Sequence, residues 1–160
     1  MTVVSLTPVI DFTGHPSGDG FGHASETVSK LLKSALGHLK SRSQLNLLLA
    51  ALEGVFKDCS EPNWDGYNAL PISYEAYRKA EKLLTLLPIS LPMPEIGPEP
   101  TGEIGLEWYT EKQFVFAISV GGNNIITYAG IFGEGNTTHG TEVFTESIPS
   151  TILRNIRRLF

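Results

Sequence analysis

Five prolines between residues 88 and 100 separate two halves of this chain that have different hydrophobic periods. Before them, apolar residues recur every three or four positions, as on one face of a helix; after them, they recur every second position, as on one face of a strand. The proline stretch itself can be neither helix nor central strand. Helices and sheet are therefore segregated along the chain, which defines an α+β fold. With 160 residues there is room for one ordinary core without covalent staples.

The first half predicts three helices behind a flexible arm. Residues 1–24 contain Gly14, Gly18, Gly20, Gly22, Pro8 and Pro16, which leaves at most a short strand at residues 3–12. Ser25 is a good N-cap with Glu26 behind it, and Val28, Leu31, Leu32, Ala35 and Leu39 follow at helical spacing until Gly37 offers a stop or kink. A second helix is expected from Ser43 to Lys57, with Leu45, Leu48, Leu49, Leu52 and Phe56 as its stripe. The third has Ser73 as N-cap, Glu75 in its first turn and Ile72 placed to staple against Tyr77. Its inner residues are Ala76, Ala80, Leu83, Leu84 and Leu87, and Pro88 ends it. The expected organisation is an arm at 1–24 and one domain at 25–160. That domain comprises a helical part at 25–87, a connector at 88–101, and a meander with its closing helix at 102–160.

The second half predicts four antiparallel strands. Ile104, Leu106 and Trp108 alternate with Glu103, Gly105 and Glu107; Phe114, Phe116, Ile118 and Val120 repeat the pattern. Further strands are expected at 125–132 and 138–145. Gly121-Gly122-Asn123-Asn124 and the run from Gly133 to Thr138 suit hairpin turns, because glycine and asparagine accept positive φ. Links this short make a meander and exclude parallel crossovers. A last helix starting near Ser147, with Pro149 in its first turn, would lay Ile152 and Ile156 on the sheet. The expected core is Leu48, Leu52, Leu83, Leu84, Leu87, Ile104, Leu106, Phe114, Phe116, Ile118, Ile152 and Ile156.

Charge and residue inventory exclude several chemistries. Net charge is −5 and unevenly spread: residues 61–147 carry eight more acids than bases, whereas the last thirteen carry Arg154, Arg157 and Arg158 and no acid. An acidic sheet repels a phosphate backbone, which argues against a nucleic-acid platform. The arginines suit the carbonyl end of a helix dipole. One cysteine, Cys59, precludes an internal disulfide or a Cys-rich zinc site, and His15, His23, His38 and His139 form no ligand motif with it. Gly18-Asp19-Gly20-Phe21-Gly22 lacks the spacing of a dinucleotide loop. Glu103 and Glu107 share a face but lie about 13 Å apart along a strand, too far to share a proton. No catalytic residue, metal or cofactor is expected. No apolar run approaches the ~20 residues that span a bilayer, and the first residues lack the regions of a secretory leader. A cytoplasmic protein is expected.

The most distinctive stretch is Asn63-Trp64-Asp65-Gly66-Tyr67-Asn68-Ala69-Leu70-Pro71-Ile72. Asp-Gly is a turn dipeptide, and the aromatic residues beside it either pin helices together or form a recognition loop. Together with the later run Gly102-Glu-Ile-Gly-Leu-Glu-Trp108, it resembles a set of small bacterial and phage proteins that share an N-W-D-G-x-x-A-x-P-I core. The resemblance covers residues 62–108 clearly and the meander loosely; the first 60 residues are not part of it. No activity is established for that set, so no catalytic residue is carried over. Its members tend to be encoded in two-gene modules. That implies an antitoxin-like or accessory role and a protein partner, the product of a neighbouring gene.

The combined expectation is a non-catalytic protein-interaction factor whose partner-binding residues are Trp64, Asp65, Gly66, Tyr67, Glu103 and Glu107. Two alternatives make different demands. A small hydrolase would need Asp65 beside a histidine. A nucleic-acid accessory factor would use Arg154, Arg157 and Arg158.

Overall fold

The computed structural model describes residues 19–160, with side chains from residue 25 onward. The expected strand at residues 3–12 lies outside the described residues. Contacts divide the chain into two units, residues 1–37 and residues 38–160. Helix α1 runs from Asp19 to Asp58, where a helix from Ser25 with a stop or kink at Gly37 and a second from Ser43 to Lys57 were expected. The correction has a simple cause: a helical glycine costs only about 1 kcal/mol relative to alanine, and no proline interrupts this stretch. In the first unit Val28, Leu31, Leu32 and Leu36 are all more than half exposed. Lys30 and Glu26 pair at 2.8 Å, one helical turn apart.

The second unit holds the core. Its remaining elements are α2 (Tyr74–Leu86), β1 (Glu95–Pro98), β2 (Ile104–Glu111), β3 (Phe114–Val120), β4 (Ile125–Phe132), β5 (Thr137–Val143) and α3 (Ser150–Leu159). The strands form one antiparallel meander in the order β1-β2-β3-β4-β5, so the sheet has five strands and not four. The additional strand comes from the proline connector. Proline is barred from central strands but tolerated at an edge, where its missing N–H faces away from the ladder. Accordingly Glu95–Pro98 pairs with Glu107–Ile104 on one side only. The β2–β3 hairpin turns at Lys112-Gln113, and Gln113 takes the positive φ of 69°.

Alternation sorts the sheet into two faces. Ile104, Leu106, Trp108, Phe116, Ile118, Val120, Ile126 and Phe132 are buried on the inner one, against which α2 and α3 pack. Ser73 caps α2 as expected, its Oγ accepting from the Ala76 N–H at 3.1 Å. Pro149 caps α3 from outside in an extended conformation, so this helix starts three residues later than expected. It buries Ile152, Asn155, Ile156 and Leu159 and leaves its arginines outside. Trp108 is 1% exposed, and its indole N–H donates to the Pro92 carbonyl at 2.9 Å. The connector thus satisfies the one polar group of the largest core side chain. At Gly130 a Cβ would lie 2.8 Å from the Phe116 ring and 2.9 Å from the Phe132 ring, so glycine is what lets those rings close over the strand. Of the expected core, Leu48 and Phe114 are only half-buried and the rest are buried.

Candidate interaction surface

The Asn63–Ile72 stretch forms a compact loop between α1 and α2, and its conformation explains its composition. Asn63, Gly66 and Asn68 all have positive φ, at 64°, 78° and 70°, a region open to glycine and tolerated by asparagine. Asp65 Oδ1 accepts from the N–H groups of Tyr67 at 2.7 Å and Ala69 at 3.1 Å. Asn63 Oδ1 accepts from the Asn68 N–H at 2.8 Å. The Trp64 indole N–H donates to the Leu70 carbonyl at 3.0 Å, and its half-buried ring packs against the core. Backbone bonds tie both ends down: Asn63 N–H to Ala69 O at 2.8 Å and Ile72 N–H to Cys59 O at 2.9 Å.

The expected partner-binding residues therefore divide. Trp64, Asp65 and Gly66 build the loop, while Tyr67 stands out from it, 87% exposed. Leu70 in the loop and Tyr74 at the start of α2 are also about 60% exposed. Tyr74 also borders an aromatic cluster, its ring 6.0 Å from Tyr77 and 6.2 Å from Phe56. No local pattern in the sequence marks them, because their exposure is set by how the loop meets the core.

The loop also meets the sheet. Leu70 N–H donates to the Pro100 carbonyl at 2.8 Å, which seats the loop beside the β1–β2 turn that carries Glu103. An open cleft of about 580 Å³ joins Leu70, Ser73, Thr101, Glu103 and Gly122. Lys79 braces the far side, donating to the Gly122 carbonyl at 2.9 Å and to Asn124 Oδ1 at 2.8 Å. Glu103 accepts from the Thr101 hydroxyl at 3.1 Å. Glu107 lies elsewhere on the outer face, opposite Glu95 on β1 and Ala117 on β3. Lys112, in the turn, is not its cross-strand neighbour. Glu99 accepts from the Ser119 hydroxyl at 2.7 Å, and Glu95, Glu99 and Glu107 line a shallow groove over Gly97 and Gly105. The structure thus places Glu103 beside the loop and Glu107 in a separate acidic strip.

Two other candidates, Cys59 and Arg158, have structural contacts of their own. Cys59 is buried, and burial, aided by the charge of Asp58, pushes its thiol pKa up, away from a reactive thiolate. Among the described residues no hydrogen bond joins Asp65 to a histidine. Nor do three His, Cys, Asp or Glu side chains among those residues group to hold a metal ion. The Arg158 guanidinium lies 4.1 Å from the centre of the Phe132 ring, a cation–π contact. No helix among the described residues is long and apolar enough to cross a membrane. No family model matches the chain, and neither a curated protein nor a solved structure matches it.

Proposed function

We propose that this chain is a non-catalytic interaction factor, antitoxin-like or accessory, that binds a basic partner protein encoded in a neighbouring gene. The observation that carries the reading is Tyr67: a large aromatic side chain 87% exposed on a loop held in shape by hydrogen bonds to Asn63 Oδ1 and Asp65 Oδ1 and from the Trp64 N–H. A rigid loop loses little entropy on binding, and an exposed tyrosine is a typical anchor. The excess of eight acids over residues 61–147 supplies the chemistry of the partner, since complementary charge steers and selects. Glu103 beside the loop and Glu107 on the outer face would meet its lysines and arginines.

The test is co-expression with the neighbouring gene's product, followed by a binding titration. Wild type is expected to hold the partner, with affinity falling as salt is raised. Tyr67→Ala should weaken binding at least about tenfold, or roughly 1.4 kcal/mol. Its thermal stability should move little, because nothing in the fold rests on that ring. A partner bound equally well by wild type and Tyr67→Ala would remove the loop from the interface. Failure to bind that product at all would sink the reading.

A further inference from the structure

The two edges of the sheet are built differently. β1 is four residues long, ends at Pro98 and is flanked by Pro94 and Pro100; proline removes the amide donors that an incoming strand needs. β5 is seven residues long, Thr137-Thr-His-Gly-Thr-Glu-Val143, with no proline or lysine. Among the described residues it pairs with β4 alone. The ends of the β4–β5 ladder fix which of its backbone groups face outward. Phe132 N–H donates to Asn136 O at one end, and Phe144 N–H to Asn124 O at the other, both at 2.8 Å. Inward and outward residues alternate along an antiparallel pair. Thr138, Gly140 and Glu142 therefore face β4, while Thr137, His139, Thr141 and Val143 direct N–H and C=O away from the sheet.

We propose that β5 is a self-association edge, on which a second copy of this chain pairs its own β5 antiparallel about Gly140 and joins two five-stranded sheets into one. That register opposes Thr137 to Val143, His139 to Thr141 and Thr138 to Glu142, so every outward-facing residue meets another outward-facing one. The only charged side chain, Glu142, then lies about 13 Å along the strand from its copy. A register centred on Glu142 would set the two carboxylates face to face and leave four residues of each strand, Thr137 to Gly140, unpaired. At the two-fold centre the Gly140 pair sits at the closest backbone approach, about 4.5 Å between Cα atoms; glycine brings no side chain of its own there, and the Tyr128 phenol of the same copy occupies the space where a Cβ would stand. The inference is independent of the partner proposed above, because it uses neither Tyr67 nor the acidic face.

The experiment is sedimentation of the full chain from micromolar to hundreds of micromolar concentration, with amide hydrogen exchange on the same samples. Wild type is expected to dimerise, and the amides of Thr137, His139, Thr141 and Val143 to gain protection as concentration rises. Thr141→Pro deletes an outward N–H that bonds nothing within one copy, so it should weaken the dimer more than about tenfold. Thr141→Val keeps that N–H and should leave dimerisation unchanged. A wild-type chain that stays monomeric overturns the proposal. So does a dimer that persists in Thr141→Pro, or one in which these four amides stay unprotected. Protection of β5 that appears only when another protein is added does the same. If Thr141→Pro fails to fold, wild-type amide protection decides by itself.

Discussion

The loop from Asn63 to Ile72 and the strand from Thr137 to Val143 treat their hydrogen-bonding groups in opposite ways. In the loop, Asn63 Oδ1, Asp65 Oδ1 and the Trp64 N–H are bonded within the motif itself, and the N–H groups of Leu70 and Ile72 bond to the Pro100 and Cys59 carbonyls of neighbouring segments. In the strand, alternate residues direct both backbone groups away from β4, its one paired neighbour among the described residues. The loop is conspicuous in sequence because three positive φ values and an Asp-centred turn restrict the residues that fit. The edge is inconspicuous because its capacity to bind lies in the backbone, which every sequence has. A distinctive motif can thus be architecture, while an ordinary threonine-rich strand holds the unmet demand.

Substitutions can break this contrast. Trp64→Ala removes a ring packed on the core and leaves the Leu70 carbonyl without its donor. A loss of about 3 kcal/mol in urea unfolding is expected for a half-buried tryptophan. Asp65→Ala strands the amides of Tyr67 and Ala69 and should cost about 2 kcal/mol. Gly66→Ala forces a Cβ into φ +78°; open space surrounds the position, so only the backbone penalty of about 1 kcal/mol applies. On the strand, Thr141→Val in the isolated chain should change stability by less than about 0.5 kcal/mol. If Asp65→Ala proved as silent as Thr141→Val, the loop would not be the saturated structure described, and its carboxylate would be free for another use.

Where the sequence could be read, local chemistry and tertiary packing agree. The strand from Ile125 to Phe132 has the expected bounds, and Ser73 caps α2 as its type and position indicated. The buried residues Ile104, Leu106, Phe116 and Ile118 follow from period two alone. Misreadings arose where one residue type has two uses. Proline forbids a central strand yet suits an edge, so β1 was hidden in the connector. Glycine can stop a helix or sit within one, and Gly37 does the latter. The division within the candidate site was only half legible: that Asp65 could bond its own backbone followed from the Asp-Gly turn. Which of Trp64 and Tyr67 faces solvent depends on where the loop meets Leu70 and the core, and no local pattern encodes that.

The smallest expected effect lies at the base of the loop. Cys59 accepts the Ile72 N–H through its carbonyl, while its thiol is held in the core cluster. Burial is the main cause that raises the thiol pKa above its ordinary 9.0, with Asp58 adding to it. An unfolded chain exposes this thiol, which then ionises at its ordinary value while the folded one keeps its proton. The contribution is therefore complete below pH 9.0 and is lost as pH rises from there through the folded value. Tyr77 behaves alike above its ordinary 10.0, because burial first and then Glu81 and Glu53 disfavour the phenolate. Lys57 is raised above 10.5, chiefly by its hydrogen bond to Glu53, and its contribution too fades on the alkaline side. Denaturant midpoints should accordingly hold steady up to about pH 9 and decline beyond it. Cys59→Ala should start lower, for want of the sulfur's packing, and decline less steeply between about pH 9 and 10. Thiol labelling at pH 8 gives an independent readout: a slow reaction in the native chain that becomes fast in denaturant. Equal slopes in wild type and Cys59→Ala, or fast native labelling, would mean that the thiol is open to solvent. The carbonyl of the same residue would then anchor a loop whose base is looser than the loop itself.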